Sequence, residues 1–305
     1  MAYLKIIRFG NLLMAALTQW LVQLMLINPF LQGYNLPVTQ WWIVACCIVA
    51  TFLLGAGGNI INDIVDYNID MINHPDSVIL NKSISVNAAN KLYLIVTGMG
   101  IFIGSIPCVI YKYYGLILIL GFMAALMWYY SYKFKSIMLF GNIVVAFVIS
   151  FSILLPMFYN LDTFTIKPLV QIITYYTLFS FIIVLAREII KCMEDMHGDN
   201  EYGIRTLPIV AGINTSKTIV GILFLLITVG IGYFQYIQMQ GEDFFNRNCF
   251  SSLYLLLFVQ LPLIYVCFTI IKAQTPKQYN RLSTITKFVM LSGIMSLVVF
   301  YYLMN

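Results

Sequence analysis

Residues 40–70 read QWWIVACCIVATFLLGAGGNIINDIVDYNID. Positions 40–61 carry no charged side chain. As a helix rising about 1.5 Å per residue, such a run crosses a hydrocarbon core about 30 Å thick. Directly after it come Asn62, Asp63, Asp66 and Asp70. At about 100° per residue, Asn62, Asp66 and Asp70 fall within an arc of roughly 80°. A helix that continues past residue 61 therefore presents a stripe of oxygen ligands at the membrane surface.

The rest of the chain repeats the apolar part of that pattern. Runs of similar length occupy about 11–30, 91–110, 115–132, 137–158, 168–188, 217–239, 253–271 and 285–303, giving nine candidate spans with 40–61. Of the 305 residues, 61% are hydrophobic and only 10% charged, with a mean hydropathy of +0.88. A soluble domain carries about 25% charged residues, so a water-soluble globule is excluded. The short alternating segments of a β-barrel are absent. The expected fold is all-α: a polytopic membrane protein with residues 1–305 forming one transmembrane domain. No cleavable leader is expected before the first span. Only two connections are long and polar, 62–90 and 189–216, and they follow the second and sixth spans. That spacing suggests two four-helix halves and a ninth helix.

Charge sets the orientation. Fourteen cations, among them Lys5, Arg8, Lys82, Lys133, Arg187 and Lys287, fall on the side of the N-terminus, against Lys112, Lys167 and Arg247 on the other. The positive-inside bias places the N-terminus and both long loops in the cytoplasm of a multi-pass cell-membrane protein. The net charge of +5 then reflects topology and contact with membrane lipid, and nucleic acid is not an expected partner. The six cysteines show no CxxC spacing and are expected to be reduced and structural.

The acids do not follow the positive-inside logic. Nine of twelve lie on the side of the cations, and seven of those fall in two clusters. The second cluster is Arg187-Glu188-Ile189-Ile190-Lys191-Cys192-Met193-Glu194-Asp195-Met196-His197-Gly198-Asp199. Asp195 and Asp199 stand four apart, and Lys191 and Arg187 continue their line backwards. Two cations beside two carboxylates suit a diphosphate: the cations hold its oxygens and the carboxylates hold a bridging Mg²⁺. Charged residues at membrane interfaces are usually solvated caps. Carboxylates four apart on a helix repel one another, however, and two such stripes on one side favour a metal site. His74 and His197 are too few and too far apart for a zinc pattern, and His197 reads as a solvent-exposed loop residue. Gly55, Gly57 and Gly58 lack the Lys-Ser/Thr of a phosphate loop and fit close helix packing.

These residues resemble a known family. Asn62-Asp63-x-x-Asp66-x-x-x-Asp70 resembles the NDxxDxxxD signature of the UbiA-type intramembrane prenyltransferases, and Asp195-x-x-x-Asp199 is similar to their second DxxxD motif. Nine helices with the motifs after the second and sixth match that family along essentially the whole chain. Arg8-Phe9-Gly10-Asn11 is similar to its opening R-x-x-N segment. Tyr129–Lys135, followed by Gly141-Asn142, resembles the loop after its fourth helix. Arg187–Lys191 through Gly203-Ile204-Arg205-Thr206-Leu207-Pro208 resembles the branch containing digeranylgeranylglyceryl phosphate synthases. Two positions depart from the pattern. Ser77 stands where relatives commonly carry Arg, with Lys82 as a substitute cation and Asn81 able to make the turn in place of glycine. Cys192 stands where relatives of the branch carry an acid.

The resemblance implies Mg²⁺-dependent transfer of a polyprenyl group, geranylgeranyl in the branch named, from its diphosphate. Asn62, Asp66, Asp70, Asp195 and Asp199 would hold two Mg²⁺ ions, with Asp66 and Asp195 catalytic. Lys82, Tyr129, Lys133, Arg187 and Lys191 would contact the diphosphate, and Asn11 and Arg205 would make weaker substrate contacts. Tyr67, Tyr129, Tyr130 and Tyr132 are candidates for the cation-stabilising wall, against an ordinary interfacial aromatic belt. Lys135, two residues beyond Lys133, points to a different face if the turn is helical. The implied acceptor is the alcohol of a glycerol-phosphate lipid; an aromatic quinone precursor is the alternative within the family. A cation-coupled transporter is the alternative of another class.

Overall fold

The structure is a computed structural model and describes residues 2–239 and 249–304; Arg247, counted above for orientation, lies outside them. Among the described residues, nine helices are long and apolar enough to cross a membrane. They are α1 (Phe9–Gly33), α2 (Trp41–Val65), α3 (Val86–Ile110), α4 (Tyr114–Tyr132), α5 (Phe140–Phe158), α6 (Lys167–Glu194), α7 (Ile213–Met239), α8 (Cys249–Lys272) and α9 (Pro276–Leu303). All nine expected spans are present, and the described part of the chain is helical and without strands.

The helices differ from the apolar runs mainly by being longer at the polar end. α3 starts at Val86 because the Ser85 hydroxyl caps it, accepting from the Ala88 amide at 3.2 Å. α6 starts at Lys167 with Pro168 in its first turn, where a missing N–H costs nothing. Inside α1 and α8 the backbone widens into a π-turn, at Val22–Ile27 and Leu256–Gln260, just before Pro29 and Pro262. Each proline removes an i→i−4 bond, and the wide turn re-registers the helix around the gap.

Packing crosses the boundary between the two expected four-helix halves. Gly57 brings α2 against α3 so closely that a Cβ there would overlap the Thr97 hydroxyl, and a Cβ on Gly55 would lie 2.7 Å from Leu12 of α1. One apolar core joins α6 to α9, with Ala146 of α5. A second ties α1, α5, α6 and α9, and a third ties α2 to α5. A fourth, of Ile6, Ile60, Leu80, Ile84 and Ala89, fastens the N-terminal turn and the first loop over the same end of the bundle. Large apolar side chains such as Phe102 and Leu118 project outward, as a lipid-facing surface requires. All six cysteines are free.

Candidate active site

The expectation of one unbroken helical stripe after residue 61 is corrected at Asp66. α2 ends there, with Asp66 at φ −84° and ψ 0°, and a short helix, Tyr67–Asn73, starts again at once. The i→i−4 bond survives the break, since the Asp70 amide donates to the Asp66 carbonyl at 2.9 Å. Asn62, Asp66 and Asp70 therefore still look into one space. The second motif is built the same way. α6 ends at Asp195, at φ −90° and ψ 3°, the helix Met196–Glu201 follows, and the Asp199 amide donates to the Asp195 carbonyl at 3.2 Å.

Asn73 joins the two turns. Its amide nitrogen donates to the Asp195 carbonyl at 2.9 Å, and its oxygen accepts from the Gly198 amide at 2.8 Å. Gly198 is required here, because a Cβ would lie 2.7 Å from the Asn73 side chain. Next to it, His74 Nε2 lies 2.7 Å from Asp195 Oδ1. Ligand atoms of His74, Glu194 and Asp195 all fall within 4.8 Å of one another. His74, set aside in the sequence for want of a zinc pattern, thus sits on the second motif, whereas His197 is solvent-exposed as expected.

These turns close one end of a cavity of about 1590 Å³ that runs down between the helices. Its mouth is polar and its depth apolar, with Leu54, Met127 and Val148 on one side and Tyr176, Ile231 and Leu297 on the other. Of the residues expected at the site, Asn11, Asn62, Asp66, Asp70, Arg187, Lys191, Asp195 and Asp199 line it. Lys82, Tyr129, Lys133 and Arg205 do not. Lys82 donates instead to the Pro75 carbonyl at 2.6 Å, steadied by Asn81, which does adopt the left-handed turn at φ 57°. Arg205 is exposed, and its neighbour Thr206 lines the cavity.

The loop after α4 reverses the expected roles of two lysines. α4 stops at Tyr132, Lys133 is non-helical at φ −133° and ψ −50°, and a 3₁₀ turn covers Phe134–Ser136. Lys133 is left exposed, while Lys135 turns inward and its Nζ lies 2.6 Å from Asp66 Oδ2. The aromatics divide likewise. Tyr67 and Tyr130 line the cavity. Tyr129 and Tyr132 are exposed and pack on Trp128, at centroid distances of 5.1 and 4.6 Å, as an outer belt.

Further charged groups complete the mouth. Arg8, held at φ 53°, pairs with Asp63 at 2.8 Å; a left-handed non-glycine residue costs about 1–2 kcal/mol, which the ion pair and the start of α1 offset. Arg187 Nη1 lies 2.9 Å from Glu188, and Lys191 Nζ 3.8 Å from the same carboxylate. Cys192 accepts from the Asn142 amide at 3.2 Å. Burial opposes the charge on Lys135, but Asp66 more than compensates and its pKa is raised. Asp70 and Asp199 accept no side-chain hydrogen bond among the described residues. Burial, with Asp66 beside it, pushes Asp70 up to about 6. Burial, opposed by Lys135, pushes Asp199 up to about 7. The hydrogen bond to Asp195 raises His74 against the cost of its burial. The four motif aspartates at this mouth, two of them accepting no side-chain hydrogen bond among the described residues, are a donor set of hard oxygens that suits a divalent cation. The cations around them suit phosphate oxygens.

A hydrophobic cavity with such a mouth belongs to a membrane enzyme acting on a lipophilic anion. Residues 30–268 match the family described as the UbiA prenyltransferase family. The chain belongs to that family. It is 29% identical to the digeranylgeranylglyceryl phosphate synthase of Saccharolobus solfataricus over 97% of this chain and 95% of that protein. It is 32% identical to that of Methanobrevibacter smithii over 71% of each. Among solved structures, it is similar to a digeranylgeranylglyceryl phosphate synthase at a TM-score of 0.62 and 24% identity, covering 97% of this chain and 98% of that one. It is also similar to a UbiA homologue from Archaeoglobus fulgidus bound to DMAPP and Mg²⁺, at a TM-score of 0.58 and 12% identity, covering 98% and 99%. The expected intramembrane prenyltransferase fold and enzyme class hold, and the transporter alternative has no basis left.

Proposed function

We propose that the protein transfers a polyprenyl group from its diphosphate to the alcohol of a glycerol-phosphate lipid, using Mg²⁺. The observation that carries this reading is the opposed pair of aspartate turns at the mouth of one long apolar cavity. Asn62, Asp66, Asp70, Asp195 and Asp199 would hold the metal. When bound, Mg²⁺ neutralises charge that develops on the departing diphosphate. Lys135 and Lys191 take phosphate oxygens, with Arg187 behind them. The acceptor oxygen bonds to the allylic carbon as the carbon–oxygen bond to diphosphate breaks, and the hydroxyl proton leaves with the diphosphate. Tyr67 and Tyr130 face the carbon that becomes cationic, and the apolar walls keep water from it. The two-sided cavity has room for the tails of donor and acceptor. The relatives named for digeranylgeranylglyceryl phosphate synthesis support this acceptor class. With both aspartate turns and the N-terminus in the cytoplasm, the site receives prenyl diphosphate from that side.

The test is substitution. Asp66→Asn and Asp195→Asn should each lower prenyl transfer and Mg²⁺-dependent diphosphate release at least a hundredfold. Thermal stability in detergent should change little, because both residues sit at helix breaks. Turnover within a few-fold of wild type for both variants rules out the metal assignment.

A further inference from the structure

The cations at the aspartate turns each stand beside an acid: Lys135 on Asp66, Arg8 on Asp63, and Arg187 and Lys191 on Glu188. Lys287 of α9 does not. It is half-buried in the cavity wall, and its Nζ donates to a neutral group, Oδ1 of Asn11 on α1, at 2.6 Å. Among the described residues, no carboxylate lies within ion-pairing distance of it. The charge that reaches it is of its own sign, from Arg187 across the cavity. The Nε of Arg187 is buried and has no hydrogen-bond partner.

A lysine at the cytoplasmic end of a membrane helix ordinarily sets orientation, but one that lines an apolar cavity with only a neutral partner points to a ligand. Arg187 within its reach adds repulsion. An anion between them removes both costs. Asn11 is arranged for the same ligand. Its oxygen is turned to Lys287, so its NH₂ points elsewhere and has two protons to donate. Ser283 and Thr284, one turn earlier on α9, line the same wall with hydroxyls.

We propose that Lys287 and Asn11, bordered by Arg187, form a second anion site that binds the phosphate of the acceptor lipid. This rests on the reading above that the acceptor is a glycerol-phosphate lipid. The site lies on α1 and α9, whereas the metal-binding turns follow α2 and α6, so the two phosphate groups enter one cavity at separate stations. Arg187 lies within electrostatic reach of both Lys191 and Lys287 and stands between the stations. Anchoring the acceptor phosphate at α9 leaves its glycerol hydroxyl free to reach toward the diphosphate, and an unphosphorylated alcohol loses that anchor.

The experiment compares KM values in detergent-purified protein. The donor is geranylgeranyl diphosphate, and the acceptors are geranylgeranylglyceryl phosphate and geranylgeranylglycerol. Lys287→Met removes the charge and shortens the side chain by one atom. It should raise the KM for the phosphorylated acceptor about ten- to hundredfold, leave the donor KM within about twofold, and abolish the preference for the phosphorylated acceptor over the alcohol. Lys287→Arg should recover most of the loss. Asn11→Ala, which removes no charge and fills no space, should show the same split in weaker form if the methionine variant proves unstable. A donor KM that rises in parallel assigns Lys287 to the diphosphate and overturns the proposal, as does an unchanged acceptor KM. A wild-type enzyme that prenylates a hydroxybenzoate but neither glycerol lipid refutes the lipid-acceptor reading itself. That failure is read from the wild type alone, before any variant is compared.

Discussion

Lys135 and Lys133 provide the sharpest test of the geometry at the mouth. Only one residue separates them, and both carry the same charge at the same membrane surface. Spacing from Tyr129 favours Lys133 as the inward one, whereas in the structure Lys135 Nζ lies 2.6 Å from Asp66 and Lys133 is exposed. A hydrogen bond to a charged partner contributes about 1.5–3 kcal/mol, which is about ten- to hundredfold in affinity. Lys135→Ala should therefore raise the KM for prenyl diphosphate by about that factor. Its need for Mg²⁺ should not rise, because losing the ammonium frees Asp66 for the metal. Lys133→Ala loses only a solvated charge and should change KM less than about twofold. The assay is diphosphate release across a donor titration, at saturating Mg²⁺ and then across a Mg²⁺ titration. Equal effects of the two alanine variants, or a larger one at Lys133, would refute the inward turn of Lys135.

Gly198→Ala should lower turnover at least tenfold, since its Cβ would meet the Asn73 side chain at 2.7 Å and push apart the two aspartate turns. In an Asn73→Ala background the same substitution should cost little more than Asn73→Ala alone, a non-additivity that a double-mutant cycle reads directly. Single cysteines placed at Lys82 and Glu201 should react with a membrane-impermeant reagent only when it is given access to the cytoplasmic face; labelling of both from outside the cell would reverse the proposed orientation.

The spans are legible in the sequence because lipid allows only one solution to the backbone: long uncharged runs must be helices. Their polar ends are less legible, since caps such as Ser85 and turns such as Asn81 set the limits where hydropathy has already fallen. The aspartates are legible because their spacing persists through the breaks at Asp66 and Asp195. The partners of those aspartates are not. His74 and Asp195 lie 121 residues apart in sequence, Arg8 and Asp63 lie 55 apart, and Lys287 meets Asn11 across 276. No local pattern records such pairs. The lysine assignment fails for a different reason: the i,i+4 rule holds only while the helix does, and α4 ends one residue before Lys133. Gly141 hints at the tight turn, since a Cβ there would lie 2.8 Å from the Phe134 carbonyl and 2.9 Å from the Lys135 Cα. Which way that turn swings the lysine depends on packing against α5.

The two breaks explain why a repulsive arrangement of carboxylates is stable enough to persist. On one straight helix, Asp66 and Asp70 would share a face and point the same way, and their repulsion would be relieved only by water. Ending the long helix at the first aspartate of each motif lets a short helix turn over the cavity, carrying the second aspartate with it. The retained i→i−4 bond keeps the pair in register. Tyr67–Asn73 and Met196–Glu201 then pack on each other, with Asn73 bonded to both sides of Asp195–Gly198. Lys135 and His74 meet one carboxylate of each motif, while Asp70 and Asp199 accept no side-chain hydrogen bond among the described residues and burial pushes their pKa values up to about 6 and about 7. A cation must displace those protons, so its binding strengthens as pH rises through that window. The fold thus stores part of its charge imbalance at the mouth, at the point where metal and diphosphate together cancel it.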